Sequence, residues 1–156
     1  MHVDGYLLLK TVHVVGATVL IGTGAGIAFF MLMAHLTKDA RTVAVVARMV
    51  VIADYVFTAS AAVTQPITGI MLARRAGLPL LDAWVGWSIV LYMLIGALWI
   101  PVVGMQIRMR DMAMTAAAAD APLPEAYHAL FRRWFAFGVP AFMAIMVILL
   151  LMITRP

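Results

Sequence analysis

The placement of the charged residues constrains this chain more than any other feature of its sequence. Asp, Glu, Lys and Arg are absent from four long stretches, residues 11–37, 55–73, 83–107 and 134–154. A helix of roughly 20 apolar residues crosses the ~30 Å hydrocarbon layer of a bilayer. These stretches hold 92 of the 156 residues, so we predict an integral membrane protein with four spanning helices.

Composition supports the same fold class. Hydrophobic residues make up 65% of the chain and charged residues 12%, whereas roughly a quarter of a soluble domain is charged. The chain contains no cysteine, which excludes disulfides and thiolate chemistry. Its length allows one domain, and we predict an all-α, four-helix transmembrane bundle that runs up-down-up-down.

The four helices are expected at about 6–36, 41–75, 83–112 and 125–153. The small-residue segment 114–124 ends on proline and is predicted to be the longest loop. The first apolar run is longer than the 7–15 residues of a signal-peptide core, so it is interpreted as a retained helix.

Basic residues lie at the ends of the apolar stretches, where lipid headgroups accept them. With no recognition motif in the sequence, we expect the lipid bilayer and no nucleic acid as a partner. The connections between helices 1 and 2 and between helices 3 and 4 share one side, which carries Lys38, Arg41, Arg108, Arg110, Arg132 and Arg133. The opposite side carries Arg74, Arg75, Arg155 and, loosely, Lys10. The positive-inside rule therefore predicts that both termini lie outside the cytoplasm.

Ionisable side chains inside a bilayer are costly and mark candidate sites. Lys10 and His13 are three residues apart and share a face of helix 1. A neutral imidazole at this depth suits ligation of haem iron or another metal, or proton transfer, and Lys10 would pair with a propionate. The alternatives are a histidine satisfied by a neighbouring hydroxyl or carbonyl and a lysine that extends to the headgroups.

Two further residues complete the predicted cofactor site. Gln65 precedes Pro66 at about the depth of His13, where a proline-opened turn exposes backbone carbonyls. Tyr92 and Trp99 share a face of helix 3 that suits a flat hydrophobic ligand, or simply helix packing. The predicted cofactor-binding residues are thus His13, Lys10, Gln65 and Tyr92, with His13 as the metal ligand.

Two other pairs carry structural predictions. Arg48 and Asp54 are predicted to form a buried polar pair that joins helices or moves protons. Gly22 and Gly26 have the spacing that lets two membrane helices approach closely. They are predicted to pack inside the bundle, with dimerisation as the alternative.

Four strings carry a resemblance to a known family: LLLKTVHVVGATVLIGTGAG at 7–26, QPITGIMLARRAG at 65–77, LYMLIGALWIPVVGMQIRMRDMA at 91–113 and FRRWFAFGVPAF at 131–142. Over nearly its full length the chain resembles domain-of-unknown-function family 2269, a group of small predicted bacterial integral membrane proteins. The resemblance implies four membrane helices, a bacterial inner membrane and hence periplasmic termini. It implies no particular activity.

The pattern Leu9, Lys10 and His13 also looks like the first helix of the bacterial membrane protoporphyrinogen oxidase, a haem-binding four-helix protein. That likeness covers about one helix and implies haem b or porphyrin binding at His13. Helices 3 and 4 contain no lysine to match the essential lysine of that oxidase.

The leading functional hypothesis is a membrane protein associated with haem or another redox cofactor, such as a quinone, through its first helix. The alternative is a non-catalytic accessory or scaffold subunit that forms a homodimer or joins a larger membrane complex. Whether the protein is an enzyme stays open at this point.

Overall fold

All regular structure in the described part of the chain, residues 4–80 and 82–155 of the computed structural model, is helical. Four helices are long and apolar enough to cross a membrane: α1 (Gly5–Thr37), α2 (Ala40–Arg75), α3 (Ala83–Ala118) and α4 (Glu125–Thr154). The predicted all-α membrane fold is therefore confirmed, and its boundaries are close to the expected ones except in α3.

Contacts at the helix ends establish the up-down-up-down topology. At one end of the bundle, Gly5 at the start of α1 lies beside the guanidinium of Arg75 at the end of α2. At the other end, Arg41 near the start of α2 donates a hydrogen bond of 3.0 Å to Asp120, just after α3. This ion pair is exposed and contributes little stability, but it shows that the two connections lie on the same side.

The hydrophobic core occupies the half of the bundle nearest the α1–α2 turn and the α3–α4 loop. Met31, Val43, Met109 and Tyr127, one from each helix, are fully buried there. Around them, α3 packs on the first part of α2 and along α4, while α1 packs on α2 over its length. The other half of the bundle is packed less tightly, and it holds the candidate site.

The contact between α1 and α4 is the weakest of those between neighbouring helices. It includes a stack at the core end, where the ring of His35 lies parallel to Phe131 with centroids 3.7 Å apart. The ring of Tyr127 lies beside both, with its centroid 5.7 Å from that of His35 and 6.4 Å from that of Phe131. The stack joins α1 to α4 at the core end of the bundle.

A π-helical segment interrupts α2 at Asp54–Thr58. There the backbone N–H of Ala59 donates to the carbonyl of Asp54, five residues earlier, instead of four as in an α-helix. Such insertions widen a helix locally and are common at functional sites. The sequence analysis did not predict this segment.

The turn between α1 and α2 is short because both helices are capped within it. Lys38 ends α1 in the left-handed conformation with φ of 57°. Asp39 caps α2 by accepting hydrogen bonds from the hydroxyl of Thr42 at 2.6 Å and its backbone N–H at 2.8 Å. These hydrogen bonds, that of the hydroxyl foremost, hold the pKa of the Asp39 carboxyl below its usual value.

One boundary differs clearly from its prediction. Helix α3 ends at Ala118 rather than near residue 112, so the connection to α4 spans only 119–124. Alanine is the best helix former, and a run of alanines extends the helix into the segment that was predicted to be loop. The Thr115 hydroxyl bonds to the Asp111 carbonyl within this extension.

Candidate functional site

His13 is held against α2 by a hydrogen bond to Thr68, with 2.8 Å between Nδ1 and Oγ1. The Thr68 hydroxyl also lies 2.8 Å from the carbonyl of Thr64. When its one hydrogen is donated to that carbonyl, Thr68 accepts from Nδ1–H of His13, and the lone pair of the neutral imidazole is on Nε2. The partner of His13 is thus a neighbouring hydroxyl, the alternative that the sequence left open.

Gln65, also on α2, binds the same part of α1. Its side-chain Nε2 donates to the backbone carbonyl of His13 at 2.8 Å, so the structure brings these two predicted residues together. Two glycines make room for the contact. A Cβ on Gly16 would collide with the Gln65 amide, and one on Gly69 would lie 3.3 Å from Cε1 of His13.

Tyr92 makes a hydrogen bond that the sequence did not predict. Pro66 lacks an N–H, so the carbonyl of Ala62, four residues earlier, loses its helical partner. The hydroxyl of Tyr92 donates to that carbonyl. Inside the membrane no water is present to hydrogen-bond this carbonyl, so Tyr92 supplies its partner. The ring of Tyr92 faces the bundle interior rather than His13.

Lys10 and Arg48 are both exposed, and Arg48 does not pair with Asp54 as predicted. Lys10 is exposed, one turn before His13. Arg48 is exposed as well, whereas Asp54 is 3% exposed, and the ion pairs found among the described residues do not include these two. Six residues correspond to about 240° around a helix, so the two side chains point away from each other.

Gly22 and Gly26 do not make the close helix contact that their spacing predicts. A Cβ at either position would meet nothing within 4 Å. Gly22 is exposed, whereas Gly26 lines a groove between α1 and α2. Close approach of α1 to α2 depends instead on Gly16 and Gly69.

All four helices line a central cavity of about 360 Å³. This volume lies at the lower end of the range of about 300–1,000 Å³ typical of small-molecule sites. Glycines on three helices widen it: Gly24, Gly96 and Gly138 line the wall, and a Cβ on any of them would meet nothing within 4 Å. Five aromatic side chains contribute to the wall: Tyr92, Trp99, Trp134, Phe135 and Phe142.

Polar groups are concentrated at the π-helical side of this cavity. Asp54 and Thr58 come from the π segment, and Trp99 and Gln106 face them from α3. Asp54 is 3% exposed and Gln106 2% exposed. Thr58, Trp99 and Gln106 lie close enough to the Asp54 carboxyl to act on it as hydrogen-bonding neighbours. Their geometry nevertheless leaves Oδ2 of Asp54, Oγ1 of Thr58, Nε1 of Trp99 and Oε1 of Gln106 without a well-formed hydrogen bond in the described part of the chain.

Unsatisfied buried polar groups are costly, and four at one place are exceptional. The α-helical alternative would give Thr58 a partner in the carbonyl of residue 54, as a threonine hydroxyl normally finds in a helix. The π segment thus leaves the Thr58 hydroxyl and the Asp54 carboxyl available to the cavity. This cluster is the best candidate for a functional centre.

Sequence reasoning named the members of this cluster only in part. Asp54 was predicted to be buried, but with Arg48 as its partner, and Trp99 only to line a hydrophobic face. Neither Gln106, a member of the cluster, nor Trp134, which lines the same cavity, was predicted to take part. The available signal was the spacing of Trp99 and Gln106, seven residues apart and hence on one face of an apolar helix.

The contact between Gly16 and Gln65 gives a testable prediction. Gly16→Ala displaces the Gln65 amide and breaks its hydrogen bond to His13, which should lower the free energy of unfolding by about 1 kcal/mol. Gly22→Ala places the same methyl group on the same helix in open space. Thermal unfolding in detergent should separate the two variants, and equal melting temperatures would contradict the packing described here.

The comparisons with known proteins give one match. The family model described as "Predicted integral membrane protein (DUF2269)" matches residues 7–156. No curated protein and no solved structure matches the chain. Four apolar spans and a family match over nearly the whole sequence agree, and this multi-pass integral membrane protein belongs to the DUF2269 family.

Proposed function

We propose that this protein binds a lipophilic small molecule within the membrane, in the cavity between its four helices. The observation that carries the proposal is the cavity itself, about 360 Å³ with a predominantly apolar and aromatic wall. A space of this size lined by rings suits a flat, apolar molecule. The redox cofactors predicted from the sequence include such molecules, since a quinone head is planar and lipophilic.

Access from the membrane supports the proposal. Helices α1 and α4 have the fewest contacts of any neighbouring pair, and both contribute to the cavity wall. A lipophilic molecule already dissolved in the bilayer would reach the cavity between them without crossing water. The stack of His35 on Phe131 holds the pair together at the core end, so entry occurs beyond this stack.

Filling the cavity tests the proposal. The probe is 9-methylanthracene, a flat neutral fluorophore, and the readout is energy transfer from tryptophan in detergent-solubilised protein. Gly96→Leu projects a side chain into the cavity and should weaken binding at least about tenfold, because it occupies the space that the probe needs. Gly104→Leu lies on the same helix, outside the cavity wall and with open space around it, and should bind as the wild type does.

Equal binding by the wild type and Gly96→Leu would contradict a ligand-binding cavity. The accessory or scaffold alternative would then lead. One observation favours that alternative: α1 is exposed at Gly22, and a Cβ there would meet nothing within 4 Å. Such a face suits a second copy of the chain or a larger membrane complex.

A second candidate function is haem or metal binding at His13, with haem b as the cofactor. The observation that favours it is the hydrogen bond between Nδ1 of His13 and the Thr68 hydroxyl. In the tautomer in which Thr68 accepts from Nδ1–H, the lone pair of Nε2 is left for a ligand, and metal-binding histidines commonly have their second nitrogen fixed in this way. Among the histidines that the structure describes, His13 would be the single ligand, because His35 and His128 pack together at the other end of the bundle.

Absorption spectra of the purified protein, oxidised and reduced with dithionite, test this second candidate. A Soret band is expected in the wild type and in His128→Ala, and its loss is expected in His13→Ala. Thr68→Val removes the acceptor of Nδ1–H and should shift the band or lower haem occupancy while the fold persists. A colourless wild type would remove haem from consideration.

We infer that the protein lies in a bacterial inner membrane with both termini in the periplasm. The topology supports this orientation, because the α1–α2 turn and the α3–α4 loop share one side, and that side carries more basic residues. Fusion of alkaline phosphatase, which is active only in the periplasm, to the carboxyl terminus should give active enzyme. A fluorescent protein that matures only in the cytoplasm should give no signal there, and the reverse result would invert the topology.

A further inference from the structure

The charge within the cavity defines the chemistry of its ligand more narrowly. Asp54 supplies the one carboxyl group among the residues that line the cavity, and no Lys, Arg or His belongs to that lining in the described chain. Asp54 is 3% exposed and lies near the middle of α2. The hydroxyl, indole and amide groups around its carboxyl carry no net charge, and a buried carboxylate without a countercharge is strongly disfavoured.

Within the described part of the chain, no other element supplies a countercharge to Asp54. Helix α1 lines the cavity with small and aliphatic side chains, α3 presents Trp99 and Gln106, and α4 presents Trp134. On its own helix the nearest basic residue, Arg48, is exposed on another face. Asp54 therefore has two stable states inside the membrane: it carries a proton, or it pairs with a cation from outside the chain.

The residues around Asp54 favour an organic cation over a metal ion. Hard ions such as Ca²⁺ need about six or more oxygen ligands, and the described residues contain no cluster of three or more ligand side chains of the His, Cys, Asp or Glu type. The cavity offers aromatic rings instead. Trp99, Trp134 and Tyr92 line it, and the faces of such rings attract organic cations, most strongly where water is excluded.

We propose that the cavity binds lipophilic organic cations and that Asp54 holds either the cation or a proton, never both. Binding of the cation breaks the O–H bond of the Asp54 carboxyl, and the proton leaves to the aqueous phase. The site is therefore electrically neutral in both states: the carboxyl carries its proton, or the carboxylate is paired with the bound cation. This inference rests on the proposed function, because it assigns the ligand class of the same cavity.

Two matched probes separate the cation proposal from the cavity proposal. N-methylacridinium is a permanent cation with three fused rings, and 9-methylanthracene is its neutral counterpart of nearly the same shape. The neutral probe carries no hydrogen-bonding atom, so its affinity depends on the cavity walls. Binding of both is measured by energy transfer from tryptophan in purified, detergent-solubilised protein.

The wild type should bind both probes, and the affinity for the cation should rise about tenfold per pH unit over the range in which Asp54 titrates. In weakly buffered solution, each bound N-methylacridinium should release about one proton. Asp54→Asn should lose at least about 30-fold in affinity for the cation, because the charge pair is gone. Asp111→Asn changes an exposed carboxylate on α3 and should keep wild-type affinity for both probes.

Binding of 9-methylanthracene by Asp54→Asn reports whether the cavity of that variant is intact. If the cation binds this variant as tightly as the wild type, or if its affinity is independent of pH, the cation proposal is overturned while the cavity stands. If neither probe distinguishes the wild type from Gly96→Leu, both proposals fall.

Discussion

Water is absent from the hydrocarbon layer, and this absence governs where each polar group of the protein lies. A polar group inside the membrane must find its partner within the protein. The Gln65 amide finds the carbonyl of His13, the His13 ring finds Thr68, and the Tyr92 hydroxyl finds the carbonyl that Pro66 leaves free. These contacts tie α1 and α3 to the same stretch of α2 and so fix the frame around the cavity.

The cluster around Asp54 departs from this rule. Its carboxyl, hydroxyl, indole and amide groups come from α2 and α3 and meet beside an apolar space. The π segment that supplies two of them weakens the regular hydrogen bonding of α2. Local conflict of this kind is expected where a protein keeps groups available for a ligand rather than for its own fold. That physical reason places the candidate centre at Asp54 and makes His13 the secondary candidate.

Much of the fold could be predicted because a bilayer limits the choices. Apolar length predicted the number of helices, and short connections predicted their antiparallel order. The end of α3 was missed, because small residues and a proline suggested a loop where alanines extend the helix. The depth of each residue in the membrane can be counted from the helix ends, and this depth was enough to predict that His13 and Gln65 lie close together. Depth alone did not predict the hydrogen bond of Tyr92, whose partner is a backbone carbonyl of α2.

The sequence by itself determined that this protein lies in a membrane, how many helices it has and which polar side chains need partners. These follow from hydropathy, from the length of the apolar stretches and from the chemistry of each residue. Only the tertiary structure decided how the helices face one another. It separated Arg48 from Asp54, left Gly22 exposed, and brought Trp99 and Gln106 to the Asp54 carboxyl. The physical reason is the rotation of each helix about its axis. Hydropathy is nearly uniform around α1 and α3, so the apolar pattern does not show which of their faces meets lipid and which meets protein, and only the packing of all four helices selects it.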